Sequence, residues 1–189
     1  MTDRAETFDN LYRADPDPWT FTTSDYERRK YEATLAALPR QTYAHALEVG
    51  CSIGVLTASL ATRCDAVTGL DVSPVALELA AARCRGHAVR LVRAEIPREW
   101  PEGRFDLIVF SEVLYFLTAE EVAASAVCAL AALEPGGDIL LVNWLGPCDT
   151  GLTGEEAVTV FAIAIEAGGG HCRTLLRTEQ YRIDLAGSA

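Results

Sequence analysis

Short runs in which nearly every position is apolar alternate along this chain with stretches whose apolar residues recur three and four apart. The runs 44–49, 66–71, 88–93, 105–111 and 137–143 are brief and rich in Val, Leu and Ile, as expected of parallel strands buried on both faces. Residues 26–38, "YERRKYEATLAAL", have helical spacing and stop at Pro39. Between the strands the helix starts are marked. Gly54 opens one helix behind the first strand. Ser73-Pro74 pairs an N-cap with a proline at the first helical position, and Thr118 to Glu121 and Thr153 to Glu156 are capping boxes. The second box opens a helix that runs to about residue 167, before three glycines, where His171 reads as a helix C-cap. The stretch 96–103, "IPREWPEG", carries two prolines and reads as a loop. The first 25 residues, with "DPDPW" at 15–19, show little periodicity, and 1–38 reads as a lid segment. Residues 172–178 and 181–186 are two strands too close for a crossover, hence an antiparallel hairpin.

Five parallel βα units followed by a hairpin predict an α/β fold with a doubly wound, Rossmann-like sheet of seven strands. Ligands of such sheets sit beyond the carboxyl ends of the strands. The first strand ends there in "ALEVGCSIGVLT", where Gly50 and Gly54 let the chain turn sharply or let a ligand press on backbone. A dinucleotide fingerprint fails, because Ser52 and Val55 stand where glycines are required, and no Gly-Lys-Ser/Thr follows for a phosphate loop. What remains is E-x-G-x-x-x-G, beginning at Glu48. Asp71 ends the second strand, where a carboxylate accepts from two ribose hydroxyls, and Glu95 ends the third. Each has a plainer reading: a packed turn for the glycines, a turn-starting aspartate, a solvated glutamate.

The 189 residues fit one domain. Sixteen Lys+Arg against 27 Asp+Glu give a net charge of −11, a field that repels a phosphate backbone and argues against nucleic acid as a partner. No run reaches the length of a membrane span, and the polar N-terminus lacks a signal-peptide pattern, so no membrane partner and a cytoplasmic location are expected. Six cysteines at 51, 64, 84, 128, 148 and 172 have neither metal-ligand nor redox-motif spacing. They read as reduced, mostly buried thiols, and no metal site is expected.

The motif beginning at Glu48, with Asp71, Glu95, "FDLIVFSEVLYFL" (105–117) and "LEPGGDILLVN" (133–143), is similar to the ordered motifs of class I S-adenosylmethionine methyltransferases. Within that superfamily the chain resembles the nodulation protein S (NodS) family through "DPDPW", "ALEVGC" (46–51), "SEVLYFL" (111–117) and "GLTGEEAVTVF" (151–161). That resemblance implies the class I fold, S-adenosylmethionine as cofactor with S-adenosylhomocysteine as product, and methyl transfer to a small-molecule acceptor, the amine of an amino sugar or a similar metabolite. It places Glu48, Gly50, Cys51, Ser52, Gly54, Asp71, Val72, Ala94, Glu95, Ile96, Ser111 and Glu112 at the cofactor, with Lys30 or Arg29 at its carboxylate. Glu112 and Tyr115 are the candidates for orienting or deprotonating the acceptor. Trp19, Tyr26, Tyr115, Asn143 and Trp144 are the candidates for lining its pocket. Ser52 stands where many class I enzymes carry glycine. A small-molecule O-methyltransferase and a non-catalytic protein that binds S-adenosylmethionine remain the alternatives.

Overall fold

The computed structural model describes residues 3–147 and 151–188. It contains a seven-stranded sheet of order β3-β2-β1-β4-β5-β7-β6, and the chain divides into two compact units at residue 95.

The first unit comprises α1 (Asp3–Ala14), α2 (Asp25–Ala36), β1 (Tyr43–Val49), α3 (Val55–Leu60), β2 (Cys64–Asp71), α4 (Pro74–Arg83) and β3 (Val89–Arg93). Its strands are parallel, with Val49 beside Leu70 and Asp71 beside Arg93. The last five positions of β2 are all buried, because that strand has neighbours on both sides and helices over its faces. The Ser73 hydroxyl caps α4 by accepting from the Ala76 N–H, with Pro74 opening the helix.

The N-terminus departs from expectation, since residues 3–14 are helical. Polar side chains occupy most positions of α1 and hide its period. Its buried side is a narrow stripe: Ala5 and Tyr12 are buried with Phe8 between them. Tyr12 packs with Ile53 and Ala76, and Phe8, Phe21, Val55, Val75 and Leu79 close around them. Removing the first 24 residues would therefore uncover apolar core, not merely a loop. Asp17 ends the turn that follows by accepting from the N–H groups of Phe21 and Thr22.

The second unit comprises β4 (Phe105–Ser111), a single 3-10 turn (Leu114–Phe116), α5 (Ala119–Ala132), β5 (Leu133–Trp144), α6 (Gly154–Ala167), β6 (Gly170–Arg177) and β7 (Tyr181–Ser188). β4 runs parallel to β5, whereas β7 is antiparallel to both β5 and β6, as the hairpin pattern requires. Both capping boxes form, and the stretch before β4 is a loop. β5 begins four residues earlier than its apolar run, because Leu133 pairs with Phe105 ahead of a register shift. His171 is not a cap. It lies in β6 opposite Gly187, and α6 is closed instead by Gly168, whose N–H donates to the Ala164 carbonyl. The thiols are less buried than expected: Cys51 and Cys84 are buried, Cys64, Cys128 and Cys172 only partly, and Cys148 lies outside the described residues. Among the described residues no helix is long and apolar enough to cross a membrane.

Candidate functional site

In the first unit the chemistry gathers at the tips of three adjacent parallel strands. After β1 the backbone takes left-handed angles at Gly50 (φ 78°), Ser52 (φ 51°) and Gly54 (φ 79°). The turn folds back on β2, with the Gly50 and Cys51 N–H groups donating to the Leu70 carbonyl at 2.9 and 2.7 Å. Gly54 is required twice over. Its φ favours glycine, and a Cβ there would lie 3.0 Å from the Ala80 backbone of α4.

Asp71 organises these turns. Its two carboxylate oxygens accept from the Ser52 and Ser73 N–H groups, each at 2.9 Å, and its carbonyl accepts from the Ala94 N–H at 3.1 Å. One residue thus joins the ends of all three strands. Burial pushes its carboxyl up to about 6, against the pull of the Ser73, Ser52 and Val72 N–H groups. Glu48, 2% exposed, is pushed further by burial, to about 8. Thr57 pulls in the opposite direction, yet its hydroxyl and Glu48 Oε2 both lack a properly formed hydrogen bond. Burial thus favours the neutral form of Glu48.

Three contacts tie α1 to these same tips. The Tyr12 hydroxyl donates to Ser52 Oγ at 2.6 Å, the Ser73 hydroxyl donates to the buried Asp9 at 2.5 Å, and Arg4 pairs with Glu95 at 3.3 Å. Burial first, and then the Asp71 charge, raise the Tyr12 phenol above its ordinary value, so it stays a donor. Sequence reasoning missed Arg4, Asp9, Tyr12 and Ser73 as members of this cluster. The spacing of Ala5, Phe8 and Tyr12 was the available signal. The other expected residues are placed as follows. Ala94 and Ile96 are buried. Val72 receives the Arg93 side chain on its carbonyl. Lys30 is buried against Glu27 at 3.0 Å and stands over the Tyr26 ring at 5.1 Å. Trp19, at the surface, packs edge-on against Tyr12 and tilted against Phe21.

In the second unit the tip of β4 is strained. Glu112 adopts φ 57°, an angle costly for a residue with a Cβ and found most often at functional positions. Its N–H donates to the Val142 carbonyl at 2.8 Å, while its Oε2 accepts from the Tyr115 hydroxyl at 2.7 Å and from the Trp144 N–H at 2.9 Å. Ser111 and Tyr115 are buried. Asn143 is wholly buried, and among the described residues neither its Oδ1 nor its Nδ2 has a hydrogen-bond partner. Glu112, Tyr115, Asn143 and Trp144 are thus brought together. A Cβ on Gly154, the first residue of α6, would overlap the Trp144 carbonyl oxygen, so glycine is what lets α6 approach this strand end.

Seven strands in this order, the last two an antiparallel hairpin, are the class I methyltransferase fold. The crystal structure of the N-methyltransferase NodS from Bradyrhizobium japonicum WM9 in complex with S-adenosylhomocysteine superposes with a TM-score of 0.80. It is 23% identical, with 97% of this chain and 98% of that chain covered. The chain belongs to the nodulation protein S (NodS) family, whose model matches residues 5–143. Nodulation protein S of Rhizobium tropici is 35% identical over 134 residues, which are 69% of this chain and 56% of that protein; the chain spans about half the length of the curated relatives it matches. A putative methyltransferase from Pseudomonas syringae is 39% identical, with a TM-score of 0.73 over 85% of this chain and 97% of that one.

Proposed function

We propose that this chain is an S-adenosylmethionine-dependent methyltransferase acting on the amine of a small molecule, an amino sugar or a similar metabolite. The observation that carries the reading is Asp71. It is a buried carboxylate at the end of β2, held by two backbone N–H groups, and its remaining lone pairs suit the two hydroxyls of a ribose. The residues around it are assigned to the rest of the cofactor: backbone at Gly50, Cys51, Ser52 and Gly54 with Glu48 for the amino-acid end, Val72 beside the ribose, and Ala94, Glu95 and Ile96 for the base. Lys30, committed to Glu27, is left outside this set.

The cofactor, when bound, supplies an electrophilic methyl group on a sulfonium, and the C–S electron pair stays with sulfur as the new N–C bond forms. The chain's part is to bind, to exclude water and to orient a neutral acceptor nitrogen. Tyr115 and the charge of Glu112, at the β4 tip, serve the acceptor and the positive charge that develops on it. Residues 1–189 act as one such domain, with 1–38 as its lid. Purified protein should release S-adenosylhomocysteine when supplied with amines. Turnover confined to polyols or phenols would replace the amine assignment, and binding without any turnover would reject catalysis.

The titration of Asp71 gives a further expected result. A ribose hydroxyl donates best to the ionised carboxylate, which titrates at about 6, so affinity for S-adenosylhomocysteine should rise about fivefold from pH 5 to pH 6, reach about tenfold by pH 7 and level off above. Calorimetric titration across pH 5–7.5 checks this, and Asp71→Asn should flatten the profile. A flat profile in the unaltered protein would show that Asp71 does not meet the ligand.

A further inference from the structure

We infer that the open edge of β3 is a docking strand for an acidic polypeptide segment, one with the pattern acid–apolar–apolar–acid, which adds beside β3 as a further strand of the sheet. The inference goes beyond methyl transfer and starts from where the positive charge lies. Residues 83–93 contain Arg83, Arg85, Arg90 and Arg93 and no carboxylate, in a chain whose net charge is −11. Five arginines elsewhere, Arg13, Arg28, Arg104, Arg177 and Arg182, each meet an aspartate or glutamate. Among the described residues the four between 83 and 93 form no ion pair.

β3 ends the sheet and pairs only with β2. Along a parallel strand the backbone groups of successive residues face opposite neighbours, and here the phase is fixed at both ends. The Ala88 carbonyl accepts from the Val67 N–H, and the Ala94 N–H donates to the Asp71 carbonyl, so even-numbered positions face β2. The Val89 N–H turns back to the His87 carbonyl. Leu91 and Arg93 therefore direct their N–H and C=O groups to the open side, an unfilled ladder on a strand about 17 Å long. Proteins guard such edges with bulges, prolines or lysines. The other edge strand, β6, has a register shift between Thr174 and Leu176. β3 keeps an unbroken register from Val89 to Arg93 and contains neither proline nor lysine. Arginine on such an edge repels a basic strand and attracts an acidic one.

The side chains specify what fits the ladder. Arg90 and Arg93 are exposed, and Leu91 and Val92 between them are half-buried. Successive side chains alternate between faces, so the two arginines stand on opposite faces, each sharing its face with one of the apolar residues. A strand laid alongside meets both arginines with carboxylates three residues apart, while the two residues between them cover Leu91 and Val92. The spacing is the same for either strand direction. Arg93 is already aimed: its Nε donates to the Val72 carbonyl at 3.3 Å, which leaves its two terminal nitrogens for a carboxylate. Size decides against longer polyanions. Nucleic acid or an anionic membrane extends past this edge and comes within a Debye length, about 8 Å, of the rest of the chain, which is more negative than the whole. A segment of about six residues stays on the edge.

The test uses the full chain and the octapeptide Thr-Val-Glu-Ile-Val-Glu-Val-Thr, acetylated and amidated. Calorimetric titration at about 50 mM salt should give saturable binding with Kd below about 100 μM. Glutamine in place of both glutamates should weaken it at least tenfold, as should the double variant Arg90→Gln/Arg93→Gln. Arg90→Gln alone, at a side chain with no hydrogen bond or ion pair among the described residues, should weaken it about threefold and keep the melting midpoint of the unaltered protein. N-methylation of both central peptide residues should abolish binding, because adjacent N–H groups point to opposite sides and one of the two faces β3. Hydrogen exchange at the Leu91 and Arg93 amides should slow at least tenfold on saturation. Absence of saturable binding to the unaltered protein overturns the assignment, as does equal affinity for the glutamine peptide, the N-methylated peptide or the double variant. Duplex DNA or phosphatidylserine vesicles that bind more tightly than the peptide, and lose that binding in the double variant, overturn it in favour of an extended polyanion.

Discussion

Replacing Asp71 with alanine should weaken S-adenosylhomocysteine binding by about 2–5 kcal/mol, because the ligand's ribose hydroxyls and two backbone N–H groups would all lose a buried ionic acceptor. The effect on the unliganded protein should be much smaller, for a reason of sign. The Asp71 carboxyl is raised in the folded chain to about 6 from an ordinary 3.8, so folding favours its protonated form. The stability that this preference contributes is present below pH 3.8 and lost as pH rises through 6, leaving the buried charge a liability of about 3 kcal/mol at pH 7. Alanine removes that liability. It also strands the Ser52 and Ser73 N–H groups, each at a cost of roughly 1–3 kcal/mol, and the two changes offset. Calorimetry and thermal melts on the same variant separate them. Unchanged affinity with a lowered melting midpoint would reduce Asp71 to a brace for the two turns.

The second large effect belongs to Glu112. Glu112→Gln can keep the geometry of the β4 tip, since one amide oxygen is able to accept from both the Tyr115 hydroxyl and the Trp144 N–H as Oε2 does now. It cannot keep the charge. We expect kcat for amine methylation to fall on the order of a hundredfold, the cost of losing one preorganised electrostatic contact to developing charge, while S-adenosylhomocysteine affinity stays within about threefold. Glu112→Ala removes the shared acceptor as well and should fall further. Wild-type kcat in Glu112→Gln would leave Glu112 as a scaffold for Tyr115 and Trp144, with no electrostatic part in the reaction.

The strands were legible because burial on both faces leaves no room for polar residues, and the helix starts because capping is a local interaction between near neighbours. Thr118 with Glu121 and Thr153 with Glu156 are complete within four residues of sequence. Helix α1 was not legible: its buried stripe is three residues wide in a polar segment, and only packing against Ile53 and Ala76 gives it a reason to form. The same division runs through the site. Gly50, Gly54, Asp71 and Glu112 are legible in the sequence as residues at strand ends. Their connections were invisible, because Tyr12 to Ser52 spans 40 positions and Asp9 to Ser73 spans 64. His171 was misread because three glycines look like a helix end, although the chain needs only Gly168 and Gly169 to turn and then starts β6. Asn143 was placed in the pocket by resemblance, while its unpaired amide emerges only from the buried environment of β5.

Ser52 settles a competition between two costs. Its left-handed backbone would be cheaper for glycine by roughly 1 kcal/mol. The serine hydroxyl, however, is the acceptor for the buried Tyr12 phenol. A glycine at 52 would relax the turn and strand that phenol, so the gain in the loop would be spent on loosening the N-terminal helix. The residue that fits the turn best and the residue that latches the helix are therefore different, and a substitution in the turn after β1 is felt in α1.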